Sequence, residues 1–181
     1  MSVYGVWING GEKLTENRAA IRIPYDGEPF AEVALAGAGE LAAAVEAAAA
    51  AAPRMRAMSR EDRSAILRRA HTALLGAKED FARTIASESG KPLGEARIEV
   101  ERGASTLLFA SEEAHRLAGE VVPMDAARGG EGRWAMTVRE PLGVIAAITP
   151  FNFPLNLSLH KIAPAIAAGN SVVHKPASAT P

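Results

Sequence analysis

The 181 residues predict an α/β fold, a layer of helices leading into a parallel β-sheet. Three observations in the last quarter of the chain carry that prediction. Residues 143–149 form an unbroken apolar run holding Val144, Ile145 and Ile148, bounded by Gly and Pro, which is the pattern of a buried strand. Leu155, Leu159, Ile162, Ala163 and Ile166 then recur at helical spacing until Gly169–Asn170, a helix stop. Ser171–His174 reads as a second buried strand, ended by Lys175–Pro176. Strand, helix and strand in this length make one βαβ unit, whose crossover is right-handed and whose strands are parallel. Asn152 follows the first strand and Lys175 ends the second. Both therefore fall at one carboxyl edge, where open α/β sheets bind their ligands.

The same stretch departs from two common patterns. No G-x-G-x-x-G follows the first strand, so the usual dinucleotide fingerprint is missing. Pro164 lies inside the helical run and predicts a kink or a break. Pro150 and Pro154 bracket Phe151, Asn152 and Phe153 and exclude regular structure there.

The rest of the chain reads in order as follows. Val3–Ile8 is a strand closed by Asn9–Gly10, a tight-turn pair, and residues 18–23 are its expected partner. Residues 30–35 form another short strand. Residues 40–52 are a helix of high propensity with Leu41, Val45 and Ala48 on its apolar face, ended by Pro53. Ser59 is an N-cap for a helix whose stripe is Ile66, Leu67, Ala70 and Leu74. Arg60, Arg63, Arg68 and Arg69 fall on its solvated positions. Phe81, Ile85 and Glu88 mark a third helix, stopped by Gly90 and Pro92. Residues 94–118 form a long helix with a buried stripe through Val100, Ala104, Leu107, Leu108, Ser111 and His115, and Gly103 in it permits a close approach. Residues 120–125 and 134–140 are strand-like, with Trp134, Met136 and Val138 on one face.

Composition excludes several functions. Net charge is −1 and the pI about 6.4, so no basic surplus points to nucleic acid or an anionic membrane. Cysteine is absent, which removes disulfides, thiolate metal sites and any cysteine nucleophile. No run approaches the roughly 18 apolar residues of a membrane span, and the N-terminus lacks the pattern of a signal peptide, so the expected compartment is the cytoplasm. His160 and His174 have no Cys or carboxylate spaced for a metal or a triad and read as packed or partly exposed histidines. Glu88 and Glu99 read as ordinary helix residues.

The residues at the sheet edge also carry a resemblance. ITPFNFP (148–154), HKIAPAIAAGN (160–170) and VVHKPASATP (172–181) occur in order, preceded by Glu88-Ser89-Gly90-Lys91-Pro92. Together they resemble the aldehyde dehydrogenase superfamily, over essentially the whole chain but only the N-terminal part of the family's length. The resemblance implies a Rossmann-like parallel-sheet cofactor domain with a helical N-terminal layer and a protruding β-hairpin for oligomerisation. The parts are then residues 1–119 for the first strands and helical layer, 120–140 for the protruding segment and 141–181 for the first βαβ unit.

The resemblance also implies roles for single residues. An asparagine matching Asn152 stabilises the oxyanion of a thiohemiacetal, work its amide donor is suited to. The residue-level alternative is a helix cap or turn. Lys175 matches a lysine on the adenosine ribose of a nicotinamide cofactor, with an exposed loop lysine as the alternative. Pro176, Ala177 and Ser178 continue that cofactor edge, and the backbone of Thr149, Pro150 and Phe151 lines the nicotinamide side. Ser178 stands where many NAD-preferring members have a glutamate. A carboxylate there would repel a 2′-phosphate, so NADP is expected to be tolerated or preferred over NAD. Arg102 matches an arginine that reaches an anionic substrate end, with an ion-paired surface arginine as the alternative.

The implied reaction oxidises a small, acidic aldehyde to a carboxylic acid in a homodimer or homotetramer. It also needs a cysteine and a glutamate that this sequence lacks. The chain is accordingly read as the N-terminal portion of a longer enzyme, inactive alone. The competing reading is a non-catalytic nucleotide-binding or interaction module; a relative reducing activated acyl groups fits the motifs less well.

Overall fold

The structure, a computed structural model, describes residues 2–181. Its first part is a set of short strands: β1 (Ser2–Tyr4), β2 (Val6–Ile8), β3 (Gly11–Lys13), β4 (Arg18–Arg22) and β5 (Pro29–Ala34). The single strand expected at Val3–Ile8 is split at Gly5, whose N–H is taken by the Glu12 carboxylate at 2.7 Å. The expected pairing with residues 18–23 is also corrected. Asn9 and Gly10 adopt positive φ (53° and 75°) and turn the chain back at once, so β2 pairs with β3. β4 pairs antiparallel with β5, and β1 joins the other edge of β5 in parallel.

Four helices follow: α1 (Ala38–Ala57), α2 (Arg60–Gly76), α3 (Lys78–Ser89) and α4 (Leu93–Arg116). α1 runs through Pro53, where a stop was expected. Proline removes one N–H bond, and Ala49, whose carbonyl loses it, is exposed, so water can take the vacated acceptor. Only Ala48 of the α1 stripe is buried; Leu41 and Val45 are 56% and 44% exposed. Ser59 caps α2 as expected, accepting from the Asp62 N–H at 3.0 Å. Gly90 ends α3 in the left-handed conformation, φ 70°.

The core lies among these helices, with α4 at its centre. Val100, Ala104, Leu107, Ala110 and Ala114 pack against Leu67 and Leu74 of α2 and Ile85 of α3. Four small α4 residues (Ala96, Gly103, Ala104 and Ala110) let the neighbours approach closely. Of the expected α4 stripe, Leu108 and His115 are exposed rather than buried. Beyond α4, β6 (Val121–Val122) and β7 (Ala135–Met136) form a short antiparallel pair, with Trp134 90% exposed.

The βαβ unit closes the chain: β8 (Val144–Ile148), α5 (Pro154–Ala167) and β9 (Ser171–Lys175). The strands are parallel, in register from Val144↔Ser171 to Ile148↔Lys175. α5 is one continuous helix despite Pro164; His160, four residues earlier, is exposed, so the carbonyl that loses its partner there can also be hydrated. β8 is not buried on both faces as its apolar run suggested. Ala147 is fully buried, whereas Val144 and Ile148 on the other face are exposed. No helix among the described residues is long and apolar enough to cross a membrane.

Candidate active site

The carboxyl ends of β8 and β9 meet where the register requires. The Thr149 N–H donates to the Lys175 carbonyl at 3.2 Å, extending the ladder one residue past β8. Asn152 and Lys175 thus share one sheet edge, as their order in the chain predicts. Phe151 and Asn152 are exposed, on the loop between β8 and α5. Lys175 is exposed and makes no ion pair among the described residues. Pro176 and Ala177 are half-buried and lead into a turn closed by Thr180 N–H to the Ala177 carbonyl (3.1 Å), which leaves Ser178 exposed at its tip.

Among the described residues the Asn152 side chain makes no capping hydrogen bond. The N-cap of α5 is Phe153, and the free N–H groups of the first turn are taken by Glu99, reaching across from α4. Glu99 Oε1 accepts from the N–H of Leu155 (3.1 Å) and of Asn156 (3.2 Å), and the residue is 1% exposed. A carboxylate at that place neutralises the orphan donors and the positive end of the α5 dipole together. The expectation that Glu99 is an ordinary helix residue is therefore wrong. One signal was available: Glu99 lies one turn before Gly103, on the face that the glycine marks for close contact. An alanine Cβ at Gly103 would fall 2.9 Å from Leu159 Cδ1 of α5.

Beneath the edge, Thr149 and Ser158 meet the imidazole of His174, each hydroxyl 3.1 Å from Nε2. Ser158 gives its proton to the Pro154 carbonyl (2.6 Å), so it can only accept from His174. That places the imidazole proton on Nε2. Burial pushes the His174 pKa down, which favours the same neutral ring. Lys161 donates to the Ile148 carbonyl at 2.6 Å and adds a second cation at the end of β8.

Arg102 is exposed on α4, one turn beyond Glu99, and makes no ion pair among the described residues. Arg63, by contrast, is not on a solvated face. It is 8% exposed beside a cavity of about 570 Å³ lined also by Arg56, Arg60, Arg139 and Glu140. Desolvation, and then the charge of Arg60, lower its pKa. Among the described residues, no group of three or more His, Cys, Asp or Glu side chains is arranged to hold a metal.

A parallel βαβ edge thus presents an exposed amide, Asn152, and an exposed lysine, Lys175, that makes no ion pair among the described residues. The chain belongs to the aldehyde dehydrogenase family, whose model matches residues 10–181. It is 45% identical over 178 residues to a 3-sulfolactaldehyde dehydrogenase of Priestia megaterium, covering 98% of this chain and 37% of that protein. It is 36% identical over 181 residues to an NADP(+) succinate-semialdehyde dehydrogenase of Escherichia coli, covering 99% of this chain and 36% of the relative. Among solved structures, aldehyde dehydrogenase 21 of Physcomitrella patens in complex with succinate superposes with a TM-score of 0.95 at 36% identity, over 99% of this chain and 38% of the other. The chain thus spans little more than a third of the length of these relatives.

Proposed function

We propose that this chain is the cofactor-edge portion of an NAD(P)-dependent aldehyde dehydrogenase that oxidises an aldehyde carrying an anionic group to the carboxylic acid. The observation that carries the reading is the Asn152 side chain, exposed at the sheet edge and relieved of helix capping by Glu99. Its amide can donate to the oxyanion that develops on the aldehyde oxygen, an interaction worth about 3 kcal/mol of barrier when preorganised. The nucleophile is not on this chain, which holds no cysteine; it belongs to the further length that the relatives have.

The edge suits a nicotinamide dinucleotide. Lys175 offers three donors to a ribose or phosphate, Thr149 lies beside it across the ladder, and the backbone of Thr149, Pro150 and Phe151 is proposed to line the nicotinamide side. Ser178 places a neutral hydroxyl on the Ala177–Thr180 turn, where a carboxylate would repel a 2′-phosphate, so NADP is accepted. When bound, the cofactor supplies the oxidant. Arg102 supports an anionic substrate, because its exposed guanidinium makes no ion pair among the described residues; relatives named for sulfolactaldehyde and succinate semialdehyde also act on anionic aldehydes. The exposed apolar face of Trp134, Met136 and Val138 is the proposed subunit contact of a homodimer or homotetramer.

The test is Asn152→Ala in the full-length protein. The expected result is a fall in kcat of about 10²–10³-fold with little change in the KM of the cofactor. Activity within about threefold of the parent would refute the role. The absence of cysteine keeps one other reading in view, a non-catalytic nucleotide-binding module. That reading predicts cofactor binding with no aldehyde turnover by the full-length protein.

A further inference from the structure

The Glu88–Pro92 segment is explained neither by oxyanion stabilisation nor by cofactor contacts, yet it reaches the loop that carries Asn152. Lys91 sits at the corner between α3 and α4, where Gly90 turns the chain in the left-handed conformation (φ 70°). Its ammonium makes three contacts. It pairs with Glu99 Oε2, donates to the Asn152 carbonyl at 3.0 Å, and lies 4.2 Å from the centroid of the Phe153 ring. The Glu99 side chain is fully buried, and its other oxygen holds the N–H groups of Leu155 and Asn156.

The loop is therefore held on both sides of its reactive residue by one ion pair. Lys91 fixes the peptide of Asn152 and the face of the next residue, and Glu99 fixes the helical turn that follows. The Asn152 amide makes no hydrogen bond within the described chain, so only its backbone sets where it points. A donor that works by preorganisation depends on that anchoring, since a misplacement of about 1 Å can cost about 10²-fold in rate.

We propose that Lys91 and Glu99 are positioning residues for Asn152, acting as a clamp from the α3–α4 corner and α4 onto the β8–α5 loop. The proposal rests on Asn152 being the oxyanion donor. Lys91→Met removes the contact to the Asn152 carbonyl. Glu99→Gln keeps an acceptor for the two N–H groups but sets an amide against the lysine, so it breaks the link while sparing the cap.

The experiment is a double-mutant cycle in the full-length enzyme, with kcat/KM for the aldehyde as the readout and thermal melting as the fold control. Lys91→Met and Glu99→Gln are each expected to lower kcat/KM by about tenfold or more in the parent, acting through kcat, and by less than about twofold in the Asn152→Ala background. Equal losses in both backgrounds would overturn the proposal, showing a general structural role. So would an unchanged kcat/KM with a lowered melting temperature. If Lys91→Met does not fold, Glu99→Gln reads the same cycle. Failure of the underlying reading is seen separately, as Asn152→Ala alone retaining activity.

Discussion

Gly103 offers the sharpest test of how α4 and α5 are joined. The perturbation is Gly103→Val. A Cβ at this position falls 2.9 Å from Leu159 Cδ1 and 3.6 Å from Cγ and Cδ2 of Leu155. The first carbon alone is tolerable. Leu159 Cδ1 is the free end of a half-buried side chain and can swing, and alanine returns about 1 kcal/mol of helix propensity, so Gly103→Ala should change stability by no more than about 1 kcal/mol. Valine adds two further carbons in a gap already filled by two leucines, and its branched Cβ has essentially one helical rotamer with which to avoid them. Overpacking of that kind costs about 1–3 kcal/mol, while valine returns only a few tenths in propensity. At about 2–4 °C per kcal/mol for a domain of this size, the melting temperature should fall by about 3–8 °C. The valine should also push α4 away from α5 and lengthen the Glu99 bonds to Leu155 and Asn156, now 3.1 and 3.2 Å, so activity should fall with stability. Thermal melts of parent, alanine and valine proteins decide the matter. A valine variant melting within about 1 °C of the parent would refute the close packing of the two helices.

Three other predictions follow from single residues. Burial pushes the Glu88 carboxyl up to about 7 from its ordinary 4.5. The folded chain then binds the proton more tightly than the unfolded one, so the stability from this group is full below about pH 4.5 and is lost as pH rises through about 7. The full shift would correspond to about 3 kcal/mol, which solvent at the part-exposed carboxyl reduces to about 1–2 kcal/mol. Glu88→Gln should flatten the decline in melting temperature between pH 5 and 8, and equal slopes would contradict it. Ser178→Glu should lower the NADP-to-NAD ratio of kcat/KM by about tenfold in steady-state assays with both cofactors, and an unchanged ratio would remove Ser178 from cofactor choice. Gly169 has φ 87°, and a Cβ there would lie 2.2 Å from the buried Arg63 Nη1 and 3.0 Å from Pro141 Cγ. Gly169→Ala should therefore cost about 2–4 kcal/mol, from backbone strain and displacement of the guanidinium, and a melt unchanged from the parent would refute that.

Local sequence determined much of this molecule. The βαβ unit, the Ser59 cap, the stop at Gly90 and the close approach at Gly103 all rest on spacing within a few residues, where one residue type meets a steric or hydrogen-bonding need that its neighbours set. The shared edge of Asn152 and Lys175 was legible for the same reason, because two strands joined by a helix crossover run parallel and end at the same edge. Tertiary structure decided the rest. Whether Pro53 and Pro164 end a helix depends on whether the orphaned carbonyl meets water. Arg63 and Glu99 carry the same charges in any helix; they are buried because segments far along the chain come to rest on them. Glu99 finds the N–H groups of Leu155 and Asn156 more than fifty residues away. No pattern read within one helix contains that contact, since the donors that stabilise the buried charge exist only once α5 has docked on α4.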